Sequence, residues 1–292
     1  ATAASIGPAA PIPGLTQTPL NLTFDYDRFD VSRGSYFKVR GGTTLETGER
    51  PVLPLTTVSR DSAEVVTRGV LMLGGTFDDT PNFDPVIIGI VPEDTDSLSG
   101  ELRFDVPQWY TLLPASVSRF WDIGEGQFSQ DVVVVPGQFR ATSNSANPKT
   151  VGTMRLYSDL QLLVYESPSY EPDYQKPGIW QVGAVNPLGR TLTFSALVQD
   201  APAATYLPAT GVMRVVVLYR NVSSDTWSQV DLNYDPDTLI ASKSVVVPEN
   251  GVYEYFVQAV DNAGNVSAVL DHGNYYSAVV SGGGGPDSRT IY

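Results

Sequence analysis

The sequence predicts an all-β protein made of two β-sandwich domains in tandem. Gly and Pro are frequent, at 26 and 22 of the 292 residues, and Tyr, Val and Thr are abundant, a mixture typical of short strands joined by turns. Apolar and polar residues alternate in many short segments. No long window combines helical spacing of apolar residues with helix caps. We therefore expect less than about a tenth of the chain in helices, against about a third in ordinary domains.

Residues 1–20 are rich in Ala and Pro, show no periodicity and are expected to form an extended N-terminal arm. The first domain then covers residues 21–166, where Gly, Pro and Asp separate the predicted strands. These strands are 21–26, 35–40, 64–73, 85–91, 100–106, 115–121, 128–135 and 152–166.

Residues 167–187 contain four prolines, which argue against a central strand, so we interpret this stretch as the junction between the domains. Strands on the two sides of the junction should not share a sheet. The second domain covers residues 188–281, and residues 282–292 form a Gly-rich tail. Its predicted strands are 190–199, 211–220, 226–232, 240–247, 252–260 and 274–280.

The segment GVYEYFVQAVDNAGNVS, residues 251–267, combines a strand pattern with a turn pattern. Apolar side chains alternate along VYEYFVQAV, as in a half-buried antiparallel strand. The sequence that follows predicts a hairpin turn in which Asp261 or Asn262 binds turn amides and Gly264 takes a positive φ. The turn is thus expected to be structural.

This segment, together with RTLTFSALVQD and GVMRVVVLYR, resembles the immunoglobulin-like and fibronectin-III-like modules of bacterial surface proteins over residues 187–281. The resemblance implies that the second sandwich is immunoglobulin-like, with Tyr253 as a tyrosine corner. It further implies a role in spacing, adhesion or assembly, and no reaction.

The first domain resembles the non-catalytic β-domain of gingipain-type secreted peptidases, in GGTTLETGERPVLPLTTV, FDDTPNFDPV, VVVVPGQFR and GTMRLYSDLQLLVYESP. The matching element would be Gly48, Arg50, Pro51, Leu53 and Pro54, although Arg50 directly before Pro51 departs from that family's spacing. The catalytic Cys and His of the family have no counterpart here. The resemblance therefore implies an accessory, non-catalytic portion.

Charge and composition exclude or disfavour several classes of function. The net charge of −14 disfavours nucleic acid as a partner, and no apolar run is long enough to span a membrane. The chain has no Cys, which excludes thiol chemistry, and no nucleotide-binding or hydrolase motif occurs. His272, the only histidine, follows Asp271, but neighbouring strand residues point to opposite faces. We expect no enzyme activity, no cofactor and no metal site.

Two other groups of residues have a structural and a functional interpretation. The acidic clusters lack EF-hand spacing and are expected to be solvated turn acids rather than calcium ligands or paired hydrolytic carboxylates. They comprise Asp25, Asp27 and Asp30, then Asp78 and Asp79, then Glu93, Asp94 and Asp96. Four aromatic residues near the junction are expected to pack the domains together, with sugar stacking as the alternative. They are Tyr165, Tyr170, Tyr174 and Trp180.

The sequence predicts a non-enzymatic structural subunit or surface module, located outside the cell or on its surface. Its expected partners are copies of itself or other surface proteins. In the polymer hypothesis the N-terminal arm inserts into the next copy, and Leu15, Leu20 and Leu22 fill pockets of that partner. The alternatives are a non-catalytic accessory region of a secreted peptidase and a carbohydrate-binding module.

Overall fold

A computed structural model describes residues 10–89, 102–124, 127–142, 149–202 and 209–282. These residues form strands, turns and connecting segments and contain no helix, which confirms the predicted all-β class. Accordingly, the described part of the chain has no helix long and apolar enough to cross a membrane. The acids Glu93, Asp94 and Asp96, most of the Gly-rich tail and the first nine residues of the arm lie outside these ranges.

Eighteen strands make up the described structure. In chain order they are β1 (Thr16–Thr23), β2 (Tyr26–Val31), β3 (Gly34–Val39), β4 (Thr43–Leu45), β5 (Leu53–Ser59), β6 (Val65–Phe83), β7 (Ala115–Asp122), β8 (Gln127–Val134), β9 (Gly137–Ala141), β10 (Gly152–Pro168), β11 (Gly178–Val185), β12 (Thr191–Gln199), β13 (Val212–Asn221), β14 (Thr226–Asp235), β15 (Ile240–Val246), β16 (Gly251–Asp261), β17 (Val266–Val269) and β18 (Tyr276–Val280).

The first half of the chain, which contains β1 to β10, is organised around its two longest strands, β6 and β10. These two strands pair in antiparallel fashion from Gly152↔Phe83 to Pro168↔Val65. Four register shifts interrupt this ladder, and such bulges increase the local twist that long strands need in order to wrap a core. β1 and β9 also pair with β10. A second sheet has the order β4-β5-β8-β7, and β2 and β3 form a separate hairpin.

The second half of the chain, which contains β11 to β18, forms a sandwich around an apolar cluster made only of its own residues. One layer contains β11, β12 and β15, and the other contains β13, β14, β16, β17 and β18. β14 joins them, because its first part pairs with β13 and its last residues pair with β15. Tyr253, the predicted tyrosine corner, is buried, and its hydroxyl donates a hydrogen bond to the Glu249 carbonyl at 2.9 Å. A tyrosine corner makes a bond of this kind to the backbone a few residues upstream, and the immunoglobulin-like character of this half stays a prediction.

The two halves share one sheet, so the prediction of separate sheets is wrong. β6 pairs with β14 through Thr226↔Thr76 and Trp227↔Gly75. The sequence hid this contact because residues 75–83, GTFDDTPNF, have turn composition yet continue β6. The largest buried apolar cluster also draws on both halves, from Leu71 and Leu162 to Trp227 and Phe256.

Most of the predicted strands are present, with shifts at their ends. The strands predicted at 115–121, 190–199, 211–220 and 252–260 correspond to β7, β12, β13 and β16. Those predicted at 85–91 and 100–106 are not strands over their described parts. β11 lies inside the predicted junction, but its eight residues fall between prolines and it pairs only with β12. The prolines therefore bound this strand instead of preventing it.

The described part of the N-terminal arm packs on its own chain. β1 pairs with β10 at eight positions, from Thr16↔Glu166 to Thr23↔Asp159. Leu15, Leu20 and Leu22, the predicted partner-binding residues, are partly buried against the shared core. Phe24 follows immediately and is buried in the same core. The structure thus places these leucines within the chain, and their contact with a second copy stays a prediction.

We predict that Leu20→Ala and Leu22→Ala each lower the free energy of unfolding by about 1–2 kcal/mol, below the usual cost of a fully buried leucine because both are only partly buried. Leu188→Ala is the matched control, since that side chain is 70% exposed and should leave stability unchanged. Chemical denaturation of the monomer measures the effect. Unchanged monomer stability together with lost self-association would instead support the partner-binding interpretation.

Candidate functional site

The turn after β16 is held by a buried carboxylate. Asp261 ends the strand, and its Oδ1 accepts hydrogen bonds from the backbone N–H of Ala263 at 2.9 Å and of Asn265 at 2.8 Å. Its Oδ2 accepts a third from the Asn265 side-chain amide at 2.8 Å. Gly264 has φ +91°. Both predictions for this turn are therefore confirmed.

Segments from both halves meet at this turn. The backbone N–H of Ile12 donates to the Asn262 carbonyl at 3.1 Å. A Cβ atom at Gly264 would lie 2.9 Å from Leu15 Cδ1 and 2.9 Å from Tyr165 Cβ, so only glycine leaves room for the arm and β10. The sequence predicts the shape of the turn, but the structure adds that the turn is a contact point for three parts of the chain.

Three aspartates converge beside the turn. Asp173 comes from the segment between β10 and β11, Asp200 follows β12, and Asp261 ends β16. One carboxylate oxygen of each lies within 4.8 Å of one oxygen of the other two. Asp173 Oδ2 accepts hydrogen bonds from the backbone N–H and the hydroxyl of Thr210, and Asp200 Oδ2 accepts one from Gly211 N–H at 2.7 Å. We call this group the aspartate cluster.

Burial makes the negative charge of the cluster costly. Desolvation, the largest cause, raises the pKa of Asp261 to about 7 and that of Asp200 to about 6, with repulsion between the acids adding to each shift. Arg68 lies close enough to Asp261 to interact with its charge. The guanidinium donates instead to four neutral oxygens, namely Ser167 Oγ and the carbonyls of Pro168, Glu171 and Asp173.

A second polar group lies where the halves meet. Arg155 is 1% exposed, makes a bidentate ion pair with Asp79 at 2.8 and 2.9 Å, and stacks at 3.7 Å on the Phe77 ring. Arg220, from the second half, pairs with Glu254 at 2.5 Å and lies 5.0 Å from the same ring. Both ion pairs therefore connect neighbouring strands, β10 with β6 and β13 with β16.

The residues singled out in the sequence are dispersed over the structure. Tyr165 is fully buried, Tyr170 is 80% exposed, and the Tyr174 ring lies 3.9 Å from the Arg68 guanidinium, so the four junction aromatics do not share one environment. Trp180 is half exposed. Packing between the halves, the expected role of all four, therefore fits Tyr165 best.

The other candidate residues also have local roles. His272 contacts the Asp271 carboxylate at 2.8 Å, because both lie in a turn where His272 has φ +50°, and the expectation that they point apart is wrong. The imidazole side chain is 85% exposed. Among the acids, Asp27 pairs with Arg40, and Asp30 pairs with Arg28.

Sequence reasoning missed two members of the aspartate cluster. Asp173 lies in SYEPDYQKP and Asp200 in LVQDAP, 27 residues apart, and neither occurs in an acidic run. The available signal was position: Asp200 and Asp261 each stand at the end of an alternating strand, at VQD and AVD. Strand ends at one edge of a sandwich can lie close together, but the sequence does not tell which ones do.

The described residues define an all-β protein of two fused sandwich-like halves with a buried aspartate cluster where they meet. No family model matches the chain. No curated protein matches it either. Among solved structures, the complex of the pro- and mature domains of RgpB from Porphyromonas gingivalis is similar to 53% of this chain and 80% of that chain, at 15% identity and a TM-score of 0.36. Likeness at that level carries no argument about function.

We predict that Gly264→Ala lowers the free energy of unfolding by about 2–4 kcal/mol, through backbone strain and crowding against Leu15 and Tyr165. Gly189 is the matched control, because its φ is +56° but no atom lies within 4 Å of the position that an added methyl group would take. Gly189→Ala should cost about 1–2 kcal/mol, the strain alone. Equal losses in thermal or urea unfolding would show that the turn is not crowded.

In a chelating buffer, the contribution of Asp200 and Asp261 to the free energy of unfolding should fall as the pH rises from about 4 to 7. Asp200 and Asp261 have folded pKa values above the usual unfolded value of 3.8, so the folded state binds more protons in this window. Asp200→Asn should make the fall shallower up to about pH 6. Asp237→Asn, at an exposed turn, is the control. Identical pH profiles for wild type and Asp200→Asn would contradict the prediction.

Proposed function

We propose that this chain is a non-catalytic structural module of an extracellular or cell-surface protein. The observation that carries the proposal is that its two halves share one sheet and the largest apolar cluster of the described residues. A chain built in this way behaves as a single rigid spacer, whereas two sandwiches joined by a linker would move independently. The low charged fraction of 17% and the absence of Cys are compatible with this role.

The contacts between the halves support a structural role. The Gln258 side chain, which is buried, accepts a hydrogen bond from Met72 N–H at 3.0 Å and donates one to Met72 C=O at 2.8 Å. One amide thus satisfies both polar groups of a residue on β6, as a neighbouring strand would. Trp227 packs against Phe256 and Tyr275 in the same region.

Assembly into a homo-polymer by the N-terminal arm is not part of this proposal. The Tyr26 hydroxyl bonds to the carbonyls of Pro136 and Tyr157, so β1 is followed at once by residues anchored in the same chain. This anchoring holds β1 against its own sheet, where it pairs with β10. The accessory-peptidase and carbohydrate-binding alternatives stay predictions, and the expected partners stay copies of this chain or other surface proteins.

The proposal predicts that the two halves unfold together. In native-state hydrogen exchange, β10 and β12, one from each half, should reach the same opening free energy as denaturant increases. Gln258→Leu leaves the Met72 amide and carbonyl unpartnered and should lower that free energy in both strands by about 2–4 kcal/mol. Gln229→Leu, on the exposed face of β14, is the matched control.

Separate opening of the halves would contradict the proposal. The decisive result would be β12 still protected at a denaturant concentration where β10 already exchanges, in the wild-type chain without added metal.

A further inference from the structure

The oxygens of the aspartate cluster are incompletely satisfied. Asp200 Oδ1 is buried and has no hydrogen-bond partner among the described residues. A carboxylate oxygen removed from water without a partner is unfavourable, and the penalty grows when other carboxylates lie beside it. The cluster as described therefore has more acceptors than donors.

The residue after Asp261 carries a further buried oxygen without a partner in the described part of the chain. Asn262 is 0% exposed, and its Oδ1 also lacks a hydrogen-bond partner within the described ranges. Its Nδ2 donates to the carbonyls of Thr210 and Gly211 at 2.9 and 3.0 Å. Those are the residues whose N–H groups bind Asp173 and Asp200, so the amide of Asn262 sits against the loop that lines the cluster.

The donor set selects one class of ligand. Carboxylate and amide oxygens from separate loops suit hard divalent cations, and Ca²⁺ in particular tolerates irregular geometry with six to eight oxygens. Metals that prefer nitrogen or sulfur are disfavoured, because the chain has no Cys and its single His lies in another turn. A dication would also reduce the repulsion between the three carboxylates. Arg68 does not neutralise them by direct pairing, because its guanidinium donates to neutral oxygens.

We infer that Asp173, Asp200 and Asp261 bind Ca²⁺, with the buried Asn262 Oδ1 as a further oxygen in the same shell. The inference deepens the proposed function, on which it rests, by naming the ligand that braces the junction. The ion would tie together the segment after β10, the end of β12 and the end of β16. It would replace water around a carboxylate group that is otherwise costly to bury.

The test is a titration of the chelator-treated 292-residue chain with CaCl₂, followed by calorimetry and by thermal unfolding. We expect one ion per chain and a rise in Tm of roughly 5–10 °C at a hundredfold excess of free Ca²⁺ over Kd. MgCl₂ at the same concentration should give a smaller rise, because Mg²⁺ gives up its water reluctantly.

Asp200→Asn separates a metal ligand from a structural residue. Its side-chain carbonyl can still accept the Gly211 N–H, so the variant should be at least as stable as wild type in chelator, yet lose most of the Ca²⁺-induced rise. A structural role alone would lower Tm in chelator and leave no response to lose. Asp237→Asn, at an exposed acid of the same half, should respond as the wild type does.

The inference is overturned if wild type shows neither heat of binding nor a Tm rise, or if Asp200→Asn responds as wild type does. If the two halves still unfold together in chelator, such a result does not affect the proposed function. Conversely, Ca²⁺ binding together with separate unfolding of the halves refutes the rigid module and not the metal site.

Discussion

The structure depends on one buried carboxylate. Asp261 satisfies two backbone N–H groups and one side-chain amide of its own turn, and this fixes Gly264 in the left-handed region. Only with the turn in that shape can Leu15 and Tyr165 pack against it. The same carboxylate brings negative charge into the interior, where two other aspartates already lie. Asp261 thus satisfies the buried N–H groups of the turn, but it also places a third carboxylate beside two others. The segments that meet at this turn pack around this group of acids.

The halves are joined mainly by apolar groups and by polar groups that have hydrogen-bond or ion-pair partners. A neutral amide serves the Met72 backbone, and aromatic rings stack on guanidinium groups that are paired with acids on neighbouring strands. An unpaired charge at this depth would be far more costly than any contact it could make. Amide and aromatic residues are common in every β-sandwich. The composition of the sequence therefore gives no sign that such residues join the two halves.

Local pattern was sufficient wherever the alternation of a strand was clear. β12, β13 and β16 lie within a residue or two of their predicted bounds, and Gly264 has the positive φ expected from its neighbours in sequence. Local pattern failed where pairing overrides composition, as in the second part of β6, which looks like a turn but is held by β10 and β14. The aspartate cluster was beyond reach because its members meet only after three distant segments of the chain are placed.

The shared core has a consequence for biosynthesis. Met72 finds its amide partner 186 residues later in the chain, at Gln258. At usual translation rates of about 5–20 residues per second, β6 waits roughly 10–40 s on the ribosome before that partner is made. During this interval Leu71 and its neighbours lack the apolar surface that covers them in the finished protein. The first half therefore emerges with an incomplete core, which is completed only when the strands of the second half have been synthesised.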